Sequence, residues 1–321
     1  MKDLPRLKFA HLPTPIEAMP KLSAVLGGPR LIIKRDDQTG LALGGNKTRK
    51  LEFLLAEAQA HGAETLVTAG AAQSNHCRQT AAAAARFGFQ CILVLSGDRP
   101  STCTGNILLD KLFGAEIVWT SRAERDQTLK QVFESAWEAG KRPYLIPYGG
   151  SSQTGAAAYA YALREILEQG IDPDWIVFAS SSGGTQAGLV AGARLFGYQG
   201  HVLGISIDET EESLQEKVAI LATGTAEGLG ENETFYSADI LVNADYLGAG
   251  YGIAGQPEAE AIRLFAQQEG ILLDPVYTGR AAAGLIDLTR RGYFTREQTV
   301  LFWHTGGTPA LFADTYQGLL V

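Results

Sequence analysis

From residue 65 to residue 206 the chain alternates short apolar runs with longer amphipathic stretches, and few folds accept that pattern. The apolar runs are Thr65–Thr68, Cys91–Leu95, Ile117–Trp119, Tyr144–Ile146, Trp175–Ala179 and Val202–Ser206. Between them the spacing predicts helices over Asn75–Phe87, Thr104–Phe113, Glu124–Ala139, Thr154–Gln169 and Thr185–Phe196. Strands joined by helical crossovers of that length pair in parallel and carry helices on both faces. A strand at Leu31–Lys34 and another at Val300–Trp303 extend the series, with helices expected at Met19–Leu26, Glu258–Gln268 and Ala281–Arg291. Thr223–Glu233, rich in Gly, Glu and Thr, reads as a surface loop. The fold class is α/β, and the compact series from about Lys50 to Ser152 reads as an inserted smaller domain.

With 321 residues, 45% of them hydrophobic, the chain can bury a sizeable core in two domains or one large unit. A net charge of −8 and a pI of about 5.2 argue against nucleic acid as a partner. Cys77, Cys91 and Cys103 form no CxxC pair, so neither a disulfide framework nor a metal site is expected. The N-terminal residues lack the apolar region of a secretory signal, and no apolar run reaches membrane-spanning length. The expectation is a cytoplasmic protein with no membrane partner.

In doubly wound sheets ligands bind where strand ends meet helix N-termini, and three such places are unusual. The first is Gly44-Gly45-Asn46-Lys47-Thr48-Arg49-Lys50, opening a helix with Asn46 as a candidate N-cap. Three cations beside the positive end of a helix dipole cost roughly 0.3–1 kcal/mol each unless an anion joins them. Either the turn is a solvated basic surface, or one lysine is withdrawn from water and used as a Schiff-base amine. The second is Gln73-Ser74-Asn75-His76, whose polar side chains either cap a helix or donate to a carboxylate. The third is Ser180-Ser181-Ser182-Gly183-Gly184-Thr185, where small residues let backbone N–H groups close around a phosphate. Gly250-Tyr251-Gly252-Ile253-Ala254-Gly255 matches the dinucleotide fingerprint, but its preceding strand ends too early for the required tight turn. A lysine, a phosphate cup and carboxylate donors together point to pyridoxal phosphate (PLP) acting as electron sink on an amino acid.

Lys34-Arg35-Asp36-Asp37, Gly44–Phe53, Gln73–His76, Asp274-Pro275-Val276-Tyr277 and His304-Thr305-Gly306-Gly307 resemble, in order, the ACC deaminase/D-cysteine desulfhydrase family. These are fold-type II PLP enzymes of the tryptophan synthase β-like kind, so the resemblance implies two open, twisted, mostly parallel sheets with helices on both faces. It implies a large PLP-binding domain from residues 1–49 and 158–321, and a smaller α/β domain from residues 50–157. A homodimer is expected. Lys47 would carry the cofactor, with Lys50 near its phosphate, Asn75 on its ring hydroxyl and Ser182, Gly183, Gly184 and Thr185 around the phosphate. Gln73, Ser74, Asn75 and His76 would face the substrate carboxylate, Ser74 as a proton carrier, and Tyr251 and Tyr277 would sit at the substrate. Lys47, Ser74, Tyr251 and Tyr277 are the expected catalytic residues.

Where ACC deaminases carry Glu and Leu, this chain has Thr278 and Thr305, as in D-cysteine desulfhydrases. Both threonines would lie near the pyridine ring, and a neutral neighbour there supports less carbanion character than a carboxylate does. The reaction implied is β-elimination from D-cysteine, giving pyruvate, hydrogen sulfide and ammonia. Asn243-Ala244-Asp245-Tyr246 ahead of Gly250-Tyr251-Gly252-Ile253 also resembles L-cysteate sulfo-lyases, although these tend to show Ser-Ala-Lys where Thr278-Gly279-Arg280 stands here. Outside the enzymes, the alternative is a PLP- or anion-carrying module without turnover.

Overall fold

The computed structural model describes residues 2–320. Among the described residues ten strands make two sheets: β1 (Ile16–Ala18), β2 (Arg30–Arg35), β3 (Thr65–Ala71), β4 (Gln90–Ser96), β5 (Glu116–Thr120), β6 (Pro143–Leu145), β7 (Trp175–Ser180), β8 (His201–Ser206), β9 (Leu241–Asn243) and β10 (Thr299–His304). The larger sheet runs β1-β2-β10-β7-β8-β9 and the smaller β5-β4-β3-β6. Every pairing is parallel except β1 with β2.

Parallel strands covered on both faces should be apolar on both, and β7 and β10 are. Val177, Val300 and Phe302 face the helices Pro20–Leu26, Gln256–Glu269 and Thr278–Arg290. Ile176, Phe178, Leu301 and Trp303 face Gln153–Glu168, Gly184–Phe196 and Glu211–Gly228. In the smaller sheet Leu66, Leu93 and Leu95 pack against the helices Asn46–Ala60 and Asn75–Phe87, while Val67 and Ile92 pack against Arg125–Glu138. The strands and helices expected between 65 and 206 are present, with ends shifted by at most three residues.

One expectation fails. Thr223–Glu233 is not a surface loop up to Gly228, because the helix Glu211–Gly228 runs through it. Ala222, Gly224, Thr225 and Ala226 are buried, and Gly224 lies against the Gln153 side chain. The small residues there make a close interhelical contact, and Thr225 returns its hydroxyl proton to Leu221 O at 2.6 Å.

The basic turn is not a solvated surface either. Arg49 is 3% exposed and grips Asp36 through Nε and Nη2 at 2.9 and 2.8 Å, and Glu165 through Nη1 and Nη2 at 2.9 Å each. Lys34 joins Glu165, donating to its Oε1 and to the Gln169 amide Oε1 at 2.6 Å, and to Thr14 O at 2.9 Å. Burial opposes the Asp36 charge, but Arg49 and Lys34 outweigh it and hold the carboxyl below its usual range. This cluster ties the helix that begins at Asn46 to β2 and to the helix Gln153–Glu168. Asp36→Asn leaves two buried cations short of a carboxylate and should cost about 3 kcal/mol of stability. Urea unfolding should show a lower midpoint at unchanged slope; a loss below about 1 kcal/mol would mean the pairs are idle.

Candidate active site

The carboxyl ends of both sheets face one cavity of about 600 Å³, part of it open to solvent. Each wall segment follows a strand or opens a helix. Asn46 and Lys47 start the helix Asn46–Ala60, Ser74–His76 follow β3, Tyr148 and Gly149 follow β6, Ala179 and Ser180 end β7, Ser181–Gly183 and Thr185 follow it, and Thr305 and Gly306 follow β10. Tyr277 completes the wall.

Asn46 is not the N-cap of its helix. Gly45 holds that position at φ 127°, and Asn46 is the first helical residue. Gly306 comes so close to Gly45 that an added Cβ would lie 2.6 Å from its Cα, which explains a glycine in that turn. Asn46 instead donates from Nδ2 to Thr185 Oγ1 at 3.1 Å and accepts from Lys47 Nζ at 3.0 Å. Lys47 has no carboxylate within salt-bridge distance among the described residues, unlike Lys34 and Arg49. Burial lowers its pKa to about 8; Asp274 works against this and Arg78 adds to it.

Around Lys47 the polar groups are held in defined states. His76 is 5% exposed, and burial, then Lys47 and Lys50, hold its pKa well below the usual histidine value. Thr68 spends its hydroxyl proton on Ile146 O at 2.8 Å, so His76 Nε2, 2.9 Å away, must be the donor to Thr68 Oγ1. Nδ1 is then a bare acceptor with no partner. Ser74 caps the helix Asn75–Phe87, accepting from Cys77 N at 3.2 Å, while also lining the cavity. Tyr277 and Tyr251 join hydroxyls at 2.6 Å; burial and neighbouring tyrosine oxygens raise both pKa values, so both are neutral phenols at pH 7. Arg280 is buried and holds the tyrosine-bearing loop by donating to Gly250 O and Ile253 O at 3.1 and 2.7 Å.

The β7 loop makes an anion cup. Gly183 is left-handed at φ 79° and, as N-cap of the helix Gly184–Phe196, places no side chain of its own over the first N–H groups. Gly184 N donates to Ser151 Oγ at 3.1 Å, and a Cβ on Gly184 would lie 2.5 Å from that oxygen. Ser182 meets the same Ser151 hydroxyl at 2.8 Å. Behind it Lys50, 1% exposed, donates to Gly149 O at 3.1 Å; burial and then Lys47 lower its pKa well below the usual value. Ser180 Oγ is buried on the wall with no partner, a hydroxyl left for a ligand.

Not every expected residue reaches the cavity wall. Lys50 and Gly184 stand one layer behind it. Gln73 and Tyr251 line an adjoining cleft with Asp98, Thr102 and Asp314. Thr278 is turned away from it: its hydroxyl donates to Asp274 Oδ1 and accepts from Asp274 N, both at 2.8 Å. The Asp274 carboxylate also takes the N–H groups of Val276, Tyr277 and Thr278, so Thr278 belongs to the turn that aims Tyr277. Conversely, Tyr148 and Gly149 are wall residues that the sequence reading missed. The signal was there: two adjacent glycines, Gly149 and Gly150, in the loop that follows β6, at φ 64° and 62°.

A wall lysine of lowered pKa, an anion cup at a helix N-terminus and a ring of neutral hydrogen-bonding groups define a site for an anionic, carbonyl-bearing cofactor. The chain belongs to the pyridoxal-phosphate dependent enzyme family, whose model matches residues 7–306. It is similar to a crystal structure described as an ACC deaminase homologue, with 38% identity and a TM-score of 0.90 over 99% of this chain and 95% of the other. Two threonine deaminases share the fold. The processed isoform 2 from Solanum lycopersicum matches at TM-score 0.68 and 17% identity, over 96% of this chain and 82% of that one. The T.th. threonine deaminase matches at TM-score 0.66 and 19% identity, over 92% of each chain. The fold is therefore the fold-type II α/β architecture, and the residues present fit the cofactor: the unpartnered Ser180 hydroxyl and the glycine cradle would receive a phosphate, and Lys47 would meet an aldehyde.

Proposed function

We propose that this enzyme eliminates a β-substituent from a small amino acid, with D-cysteine as the favoured substrate and pyruvate, hydrogen sulfide and ammonia as products. The observation that carries this reading is the composition of the cavity wall: among the described residues it includes no Asp or Glu. Bound PLP supplies an electron sink for charge developing at the substrate α-carbon. A wall without a carboxylate gives nothing to keep the pyridine nitrogen protonated, which limits that sink. Elimination tolerates the limit, because a thiol leaves readily from the β-carbon once the α-proton is gone. Thr305 stands on the wall where the resemblance expects the ring nitrogen.

In this reading Lys47 holds the cofactor and then takes the α-proton at Nζ, its lowered pKa leaving more of the amine unprotonated near neutral pH. Ser74, at the N-terminus of its helix, receives the substrate carboxylate together with the helix dipole. Tyr277, braced by Tyr251, holds its phenolic proton for the departing sulfur. Ser182, Gly183 and Thr185 take the phosphate, with Lys50 one layer behind on Gly149 O.

The 38% identical ACC deaminase homologue supports a second reading, ring opening of ACC. That reaction has no α-proton to remove and asks more of the electron sink. Rates on D-cysteine, β-chloro-D-alanine, L-cysteate and ACC separate the readings. The expectation is keto acid and sulfide from D-cysteine, at a kcat/KM at least about tenfold above that for ACC, a gap of about 1.4 kcal/mol. Faster turnover of ACC would move the assignment to deamination, and sulfite from L-cysteate exceeding sulfide from D-cysteine would move it to sulfo-lyase chemistry.

A further inference from the structure

We propose that Asn106, outside the cavity, is a positioning residue that fixes the amide of Asn75 so that an N–H faces the cofactor ring. The inference rests on the reading that Asn75 meets the ring oxygen. Asn106 lies in the first turn of the helix Gly105–Leu112 and is 0% exposed. Its two ends are set by partners that cannot change role. On one side Arg78, whose guanidinium can only donate, gives Nη1 to Asn106 Oδ1 at 3.3 Å and Nη2 to Gly44 O at 2.7 Å. On the other side the Gln73 backbone carbonyl, which can only accept, takes Asn106 Nδ2 at 2.8 Å. The two constraints are independent and agree, so the orientation of this amide follows from chemistry alone.

The second Nδ2 hydrogen of Asn106 points at Asn75 Oδ1, 2.9 Å away. Asn75 must therefore spend its oxygen on Asn106, and its NH₂ is what remains for the cavity it lines. Turning the Asn75 amide over would set two NH₂ groups against each other at a buried contact. Asn106 also donates its backbone N–H to Gln73 Oε1 at 2.7 Å, which ties the whole Gln73–Asn75 loop to the neighbouring helix. The result is a polarised chain, Arg78 to Asn106 to Asn75, that ends in a donor. PLP carries a ring hydroxyl that ionises, and an ionised oxygen needs a donor; an amide oxygen there would repel it. The sequence alone gives no hint of this, since Asn106 is 31 residues from Asn75.

Asn106→Asp tests the chain at constant size. An aspartate still accepts from Arg78 but presents an oxygen to Asn75, whose amide turns and aims its own oxygen at the ring. PLP titration of the apoprotein should give a Kd raised at least about tenfold, about 1.4 kcal/mol, with a displaced long-wavelength absorption band of the bound cofactor. Asn106→Ala, which frees the Asn75 amide without reversing it, should weaken PLP by a smaller factor and serves if the aspartate variant does not fold. In an Asn75→Ala background both substitutions should change the Kd less than about twofold, because their effect passes through Asn75. An equal penalty in both backgrounds, or an unchanged Kd and band in Asn106→Asp, would overturn the proposal. If Asn75→Ala alone binds PLP with the parent's affinity and band, the reading of Asn75 itself is wrong and the proposal falls with it.

Discussion

Replacing Lys47 by alanine is expected to give a folded protein that does not retain the yellow cofactor and loses at least about a thousandfold in kcat. The geometry leaves no substitute. Lys34 is committed to Glu165, Gln169 and Thr14 O, and Lys50 lies behind the wall on Gly149 O. Borohydride treatment of the parent enzyme should therefore place the pyridoxyl group on the peptide containing Lys47; finding it on Lys34 or Lys50 would refute the assignment. The pH dependence follows from the same burial. Only the unprotonated amine attacks an aldehyde, so reconstitution of the apoenzyme should accelerate as pH rises through about 8, the lowered Lys47 value. At pH 7 that leaves about one amine in ten free, against about one in three thousand at an unshifted pKa of 10.5. A reconstitution rate still climbing tenfold per unit above pH 9 would show that the amine is not desolvated.

Thr185→Asp should weaken PLP binding by at least about a hundredfold without unfolding the protein. Thr185 is the second residue of the helix Gly184–Phe196, a position where a carboxylate favours the helix dipole, and an aspartate can still accept from Asn46 Nδ2. The local fold is thus kept while a negative charge enters the cup. Two charges about 4 Å apart at an effective dielectric near 20 interact by about 4 kcal/mol, and the phosphate carries more than one charge. Equilibrium dialysis against PLP, with thermal unfolding of the apoprotein as the control, measures both sides. Parent-like retention would put the phosphate elsewhere on the wall. Gly183 is a poorer place for the same test: a Cβ there would face Val218, Leu221 and Lys217, and its φ of 79° would add strain.

Local patterning explains how much of this was legible beforehand. The apolar runs in β3, β4, β7 and β8 are short and bounded by turn residues, and their helices repeat at helical spacing, so their placement needed no tertiary information. The same holds for the places where chemistry concentrates, because a glycine-bounded loop between a buried strand and a helix has few other uses. The small-residue segment at Thr223–Gly228 was misread because composition does not distinguish a loop from a helix face pressed against another helix.

The sequence by itself determined the α/β class, the strand and helix series and the set of segments from which the site is drawn. Tertiary structure decided which member of each segment faces the cavity. Three cations crowd the opening of one helix, and only packing sends Arg49 to Asp36 and Glu165, Lys50 behind Gly149 and Lys47 toward the cavity. Thr278 and Thr305 look equivalent as letters, yet Asp274 captures the first and leaves the second on the wall. Asn106 becomes visible only once distant segments meet. Propensity and periodicity act over a few residues, whereas desolvation and hydrogen-bond direction depend on whatever the fold brings alongside.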